Sequence, residues 1–582
     1  MAVENLIAEH IDIWTSAVKT RSTSGRGSSK KLELYGVKKL RELILELAVR
    51  GKLVPQDPND EPASVLLERI ATEKAKLVKA KKIKKPKSLA PIEQDDISYR
   101  LPNGWAVARL GSICNKLTDG SHNPAKDAGL GYPMYSSQNV QFREIDFSNP
   151  SRYVDELNYQ KEHARTQVQS GDILLTIVGT LGRAAVVPED APDFVLQRSV
   201  AVIESALSSD FLTYFFSAPV CIKYFEEHGK GTAQKGIYLG KLSLMSVFVP
   251  PVEEQHRIVA KVDELMTLCD QLEQQTEASI EAHQVLVTTL LDTLTNSADA
   301  DELMQNWARI SEHFDTLFTT EESVNQLKQT ILQLAVMGKL VPQDPSDEPA
   351  AELLKRITEE KAQLVKEKKI KKSTSTDSII KEHCNWTLNE GWGCAELQEL
   401  CRFIDYRGKN PKKSEQGVRL ITAKNIRNGY IKNDPVEYIS DDLYEQWMVR
   451  GLPKKRDILF ITEGHTMGYV AQVELDYSFA LAQRTICLQC FGDLSPEYLR
   501  IALMSPQFQL MVKDNETGSA AGGIKASKLK RLLIPVPTLP EQVNIVERVD
   551  CLLAICEQLK DRLKDSQITQ LHLTDSIVEQ AI

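Results

Sequence analysis

Two rhythms of polar and apolar positions run along this chain, and the change from one to the other divides it. Between Leu40 and Val49 the apolar residues fall three and four apart, the period of one helix face. Gly51 ends that helix, and Pro55, Pro58 and Pro62 hold the next segment extended. A second helix is predicted over Ala63–Lys85, growing basic towards its end. Upstream, Thr20–Lys31 (TRSTSGRGSSKK) reads as a flexible loop after a short N-terminal helix. From Leu101 to about Val252 short β-rich runs such as DILLTIVGT and RSVAVIE alternate with Gly, Pro and Asn turns, with one helical stretch near Asp210–Glu227. That is the pattern of a compact α/β domain. A long helix follows, in which Ile258, Val262, Leu265, Cys269 and Leu272 step by four and three, the spacing of a coiled-coil seam.

The whole series then occurs again. Leu47–Ala63 (LAVRGKLVPQDPNDEPA) returns as Leu334–Ala350 (LAVMGKLVPQDPSDEPA), identical at 15 of 17 positions and displaced by 287 residues. Leu66–Lys85 returns as Leu353–Lys372, Trp105 as Trp392, Pro250 as Pro537, Glu254-Gln255 as Glu541-Gln542, and Asp263 as Asp550, all at 287. GDILLTIVG against RDILFITEG, and Gln197-Arg198 against Gln483-Arg484, fall short of that offset by only two and one. The second seam runs Ile545, Val549, Leu552, Cys556, Leu559, Leu563. A repeat this long is a duplicated domain set rather than a solenoid. The two seams are expected to pair with each other, and Ile545–Leu563 would span about 28 Å at 1.5 Å per residue.

Composition adds limits. With 582 residues there is room for about four ordinary domains. Hydrophobic content of 42% with 26% charged residues is that of a soluble globular chain. No basic-then-apolar leader opens the sequence and no run approaches a membrane span, so cytoplasm is the expected location and no membrane partner is expected. The ten cysteines are irregularly placed and suit reduced core thiols. Cys487 and Cys490 form the one CxxC, on an apolar strand where packing is the simpler reading than zinc. His122 and His465 stand alone, so no metal site is expected. The net charge of −9 argues against a free-standing nucleic-acid binder unless charge is unevenly distributed. The run KAKKIKKPK (Lys79–Lys87) is read as a solvated face or linker, with phosphate contact or partner docking as the alternative.

NGWAVARLGSI (Asn103–Ile113), GDILLTIVGTLGRAAVV (Gly171–Val187), and LLIPVPTLPEQVNIVERVD (Leu532–Asp550) with its partner VFVPPVEEQHRIVAKVD (Val247–Asp263) resemble the specificity subunits of type I restriction-modification systems. The LVPQDPxDEPA repeat resembles the EcoAI-like, type IB subfamily. The resemblance implies an α/β protein with long helices: two α/β target-recognition domains, separated by paired long antiparallel helices and related by a pseudo-two-fold repeat. On this basis residues 1–100 form an N-terminal helical region and 101–253 the first recognition domain; 254–387 form a central helical region, 388–540 the second recognition domain, and 541–582 a C-terminal helix. The resemblance further implies a non-catalytic reader of a split, asymmetric duplex DNA target. Two methyltransferase subunits using S-adenosylmethionine on adenine N6, and two motor-nuclease subunits using ATP and Mg, would supply the chemistry. No cofactor is expected on this chain, which has no Asn-Pro-Pro-aromatic, GxGxxG or GxxxxGK[ST] motif. A two-headed reader places half-sites about one helical turn, roughly 34 Å, apart, comparable with the seam.

Base reading needs forked donors and amides, with cations and backbone NH groups on phosphates. Polar loops offer these in both halves. In the first they are Ser121, His122, Asn123, Ser137, Gln138, Asn139, Arg183, Arg198, Lys230 and Lys235. In the second they are Tyr406, Arg407, Lys409, Lys424, Asn425, His465, Arg484 and Lys525, with Tyr406, Arg407 and Lys409 the foremost cluster. A stand-alone methyltransferase and a protein-binding scaffold remain the competing classes: S-adenosylmethionine binding by the chain alone would favour the former, and indifference of DNA modification to the polar loops the latter.

Overall fold

The computed structural model describes residues 3–22, 30–81, 83, 88–93, 97, 99–231, 235–298, 300–370, 386, 388–407, 410–482, 484–518 and 522–582. They form two units, Met1–Ser279 with Ser566–Ile582, and Ile280–Asp565.

In each unit the helix that carries the repeat ends where its glycine falls. Tyr35–Val49 stops before Gly51, at φ +66°, and Glu321–Val336 before Gly338, at φ +64°. A left-handed turn at this point is what glycine permits without a Cβ penalty. The following helices are Ala63–Lys79 and Ala350–Lys366. The first is shorter than predicted, and Lys82 and Lys84–Lys87 of the basic run lie outside the described residues.

The two long helices are Val252–Asn296 and Leu539–Ala581. Their apolar stripes are largely covered. In the first unit Ile258, Val262, Leu265, Cys269 and Leu272 are buried, and Arg41 of the Tyr35–Val49 helix reaches Asp270 at 2.7 Å and Glu273 at 2.6 Å. In the second, Ile545, Val549 and Cys556 join one apolar cluster with Leu327, Ile331 and Leu332, and Leu552, Leu559 and Leu563 pack on its edge. A stripe of apolar residues specifies that it will be covered; what covers it is settled by which helix is nearest.

The two α/β domains share one topology. The first has an antiparallel sheet in the order Cys114–Asp119, Val200–Ser205, Ile173–Thr176, Ala184–Val186, and a mixed sheet in the order Arg152–Val154, Tyr132–Tyr135, Val195–Leu196. The second repeats both: Cys401–Asp405, Thr485–Cys490, Ile458–Ile461, Val470–Gln472, and Tyr438–Ile439, Val418–Ile421, Phe479–Leu481. Continuous apolar runs make the central strands buried on both faces, as in Ile458–Ile461. The helix expected at Asp210–Glu227 is two helices, Ser209–Ser217 and Pro219–His228, and the second half has the matching pair Pro496–Met504 and Pro506–Asp514. Pro219 and Pro506 each lack the amide that would continue the first helix, and each sits comfortably at the start of the next.

The repeated segment fastens each recognition domain to its helices. Ala63 N donates to Gly104 O and Ala350 N to Gly391 O, both at 2.8 Å. Trp105 Nε1 donates to Glu254 at 3.0 Å and Trp392 Nε1 to Glu541 at 2.7 Å. Those indoles lie against Gly51 and Gly338, where a Cβ would come within 2.9 and 3.0 Å of the ring. Near-identity of LAVxGKLVPQDPxDEPA therefore has a packing cause.

Cysteine chemistry departs from expectation at one position. Cys394, on the Gly393–Glu396 strand, is disulfide-bonded. Cys487 is buried within its strand, and Cys490 Sγ lies 3.9 Å from Cys401 Sγ on the neighbouring one.

Glu497, in the first turn of Pro496–Met504, receives both arms of Arg456 at 2.8 and 2.7 Å, with Gln472 and Ser495 also donating. Hydrogen bonding from Arg456 outweighs burial and pulls the carboxyl down to about 2. A carboxyl depressed in the folded state contributes stability that is full above its unfolded value of 4.5 and is lost as pH falls from there towards 2. Glu497→Gln should therefore lower stability by about 0.5–1 kcal/mol at neutral pH, since solvent screens the exposed Arg456. The difference from wild type should close over that acid range in urea titrations; a difference that stays constant would refute the pairing.

Candidate nucleic-acid interface

Loops at one end of each sheet are drawn together by backbone bonds, and most of the polar residues singled out above sit on them. In the first domain Ser121 N donates to Leu196 O at 2.7 Å and Arg198 N to Ser121 O at 2.9 Å. Ser137 N donates to Ser199 Oγ at 3.0 Å. Gly179 N donates to Lys235 O, and Lys230 pairs with Gly236, closing that loop beside Ile177–Gly179. Ser121, Ser137, Arg198, Lys230 and Lys235 thus belong to one connected set of loops.

The second domain builds the same cluster. Thr462 N donates to Arg484 O, Gly464 N to Gly522 O, and Ile524 N to Thr462 O, each at 2.9 Å. Arg484 holds a left-handed backbone at φ +77° and approaches Glu463 at 3.9 Å. His465 and Lys525 are exposed on these loops. Lys409 lies outside the described residues, as do Thr232–Gln234 of the Lys230–Lys235 loop and Gln483.

Several expected readers are committed elsewhere. Asn139 is 2% exposed: its Oδ1 accepts from Ser136 N, and its Nδ2 donates to the carbonyls of Asp146 and Asn149. Asn425 is 0% exposed and makes the matching bonds to Thr422 N, Lys432 O and Pro435 O. Both amides brace their loops and have nothing left for a base edge. Ser121 is buried and its hydroxyl donates to Glu162 at 2.9 Å. His122 engages Asp119 at 2.8 Å. Tyr406 is 3% exposed, with its hydroxyl on the Arg450–Gly451 backbone and its ring beside Trp447, so it is a wall of the site and not a reader. Arg183 is half-buried next to the sheet, its amide on Thr176 Oγ1 at 2.9 Å.

The side chains that stay available are cations, amides and one imidazole on the loop tips: Asn123, Gln138, Arg198, Lys230 and Lys235 in the first domain, and Arg407, Lys424, His465, Arg484 and Lys525 in the second. Lys424 is exposed, 3.8 Å from Glu437. Arg407 gives Nε and Nη2 to Asp405 at 2.9 and 2.7 Å, which fixes the guanidinium and uses two of its three nitrogens. Burial pushes the Asp405 carboxyl up, but the Arg407 bonds outweigh it and hold it below the usual carboxylate range.

Comparison with known proteins adds to this geometry. The model of the type I restriction modification DNA specificity domain matches residues 102–282 and 389–568. The chain is 40% identical to the type I restriction enzyme EcoAI specificity subunit of Escherichia coli, over all of both chains. The chain belongs to the type I DNA specificity family. It is also 38% identical, again over all of both chains, to the EcoEI specificity subunit of Escherichia coli. A solved structure of a type I restriction-modification system aligns with 83% of this chain and 98% of its own, at 18% identity and a TM-score of 0.49. As a specificity subunit the chain is the non-catalytic member of its system, EcoAI-like in kind. Among the described residues no helix is long and apolar enough to cross a membrane.

Reading types and turns alone missed the cations that do not sit on loop tips. Arg402, Arg450, Lys530 and Arg531 of this specificity subunit come together along the outer edge of the Cys401–Asp405 strand. Comparison of the two halves at offset 287 contained the signal, because Arg402, Lys530 and Arg531 stand where the first half has Asn115, Ser243 and Leu244.

Proposed function

We propose that the chain reads a bipartite, asymmetric, gapped DNA duplex, one half-site with each recognition domain, and that the long helices set the spacing. The observation that supports this most is that one sheet framework occurs twice with different polar residues on corresponding loops. Such a chain assigns each copy its own sequence while keeping the attachment common. Its partners are duplex DNA, two methyltransferase subunits that modify adenine N6 with S-adenosylmethionine, and two translocase-nuclease subunits that use ATP and Mg, all in the cytoplasm. The acidic total charge fits a DNA channel completed by basic partner surfaces.

Co-expression with the methyltransferase subunit in a methylation-free host, followed by a map of adenine methylation, tests the reading. One gapped asymmetric motif, modified on both strands, is the expected result. A well-formed complex that leaves the genome unmethylated would rule it out.

A further inference from the structure

Beside the reading loops of the second domain lies a cleft of about 750 Å³. Its lining comes from five separate segments: the end of the Ala350–Lys366 helix and the residues after it, Gln398 with the Cys401–Asp405 strand, the turn at Arg450, Phe491, and Ser527–Arg531. Six cations border it: Lys361, Lys369, Arg402, Arg450, Lys530 and Arg531. Two are matched, Lys361 by Glu399 and Lys369 by Glu367, each at 2.7 Å. The other four form no ion pair within 4 Å among the described residues, and only Arg450 feels a lining carboxylate, Asp405. Arg402 and Arg450 touch backbone carbonyls, and Lys530 stands 5.3 Å above the Phe403 ring. Asp405 is the one carboxylate in the lining, and Arg407 already holds it.

The first half shows that the fold does not require these charges. At the repeat offset Arg402 corresponds to Asn115, Lys530 to Ser243 and Arg531 to Leu244. Counting back from the matched DIL strands, where the offset is 285, Arg450 corresponds to Arg165, which Asp119 neutralises at 2.7 Å. The cation on that strand, Lys116, is paired with Asp172 at 2.6 Å. One framework therefore carries a neutralised edge in the first domain and an uncompensated one in the second. Gathering like charges costs Coulomb energy, and a gain elsewhere must offset it.

We propose that this cleft seats the phosphate backbone of DNA next to the half-site read by the second domain, and that the first domain lacks such a seat. The inference rests on the DNA-reading function above and deepens it: sequence is read by both domains, but sequence-independent grip is concentrated in one. A polyanion fits because the cations are separate point charges and forks along an open edge, and they outnumber its one carboxylate. Phosphate contact positions a protein without discriminating bases. The cleft adjoins Asp405 and Arg407, so a backbone seated there presents its bases to the loops at Arg407, His465 and Arg484.

The test uses the complex of the full chain with its methyltransferase subunit and a labelled duplex carrying the mapped motif, titrated at a series of salt concentrations. For R402Q/K530Q/R531Q the slope of log affinity against log salt should become shallower by about two to three, since each phosphate contact contributes about 0.9. The methylated motif should stay the same. Arg531→Gln alone, at an exposed position, should change the slope by about one and guards against misfolding of the triple variant. S243K/L244R, which writes charge into the first half, should steepen it. An unchanged slope in the triple and single variants overturns the proposal. So does loss of the methyltransferase subunit with the slope intact, which would make the cleft a protein-docking surface. Absence of any motif for the wild-type complex would instead remove the underlying reading, and is seen before the variants are made.

Discussion

Trp392→Ala should lower the stability of the second half by about 3–5 kcal/mol, the range for truncating a buried Trp. Trp392 is 4% exposed, lies on Gly338, and donates to Glu541 at 2.7 Å. Truncation opens a cavity between the helix end and the recognition domain. It also strips a buried carboxylate of its donor, and burial already pushes Glu541 up. Leaving such a group unpaired adds to the loss of packing. Methylation of the bipartite target should fail at temperatures where the wild type works, because both half-sites must be held. Trp105→Ala should reproduce the effect in the first half, through Gly51 and Glu254. Denaturant unfolding measures both; a loss under about 1 kcal/mol in either would show that the clasp at the repeat carries little of the attachment.

Arg407→Ala should weaken binding of cognate DNA roughly 10- to 150-fold, the value of one charge-assisted hydrogen bond of about 1.5–3 kcal/mol. The variant does more than delete a donor. It frees Asp405, whose carboxyl is held low against burial chiefly by the Arg407 bonds, with the Arg450 charge adding to them. Without them burial pushes the carboxyl up from its wild-type position. At higher pH the unpaired carboxylate faces the DNA and repels it. The defect should therefore shrink as pH falls from about 8 to about 5, because protonation removes the charge. Asp405→Asn in the Arg407→Ala background should recover part of the affinity at neutral pH. Equal affinity and equal sequence preference in Arg407→Ala would exclude this residue from the interface, and a defect indifferent to pH would exclude Asp405 from it.

The sequence by itself determined the duplication, the strands and the attachment. An offset of 287 between LAVxGKLVPQDPxDEPA segments, Trp105 and Trp392, and Glu254 and Glu541 marks pairs that the structure uses in the same way. Those positions are legible because a glycine at a left-handed turn, an indole against it and a buried acceptor allow few substitutes. Strand and helix rhythm are legible because burial on one face imposes a period on neighbouring residues. Only the tertiary structure decided which polar residues are free. Asn139 and Asn425 look like adenine readers in a loop, yet their amides are consumed by carbonyls seven and ten residues away in the chain. Tyr406 looks like an exposed aromatic and is packed beside Trp447. The basic cleft is assembled from residues as far apart as Lys361 and Arg531. Local sequence records whether a residue is polar. Whether its hydrogen bonds are already spent, and which charges share a cleft, depends on segments that meet only when the chain has folded.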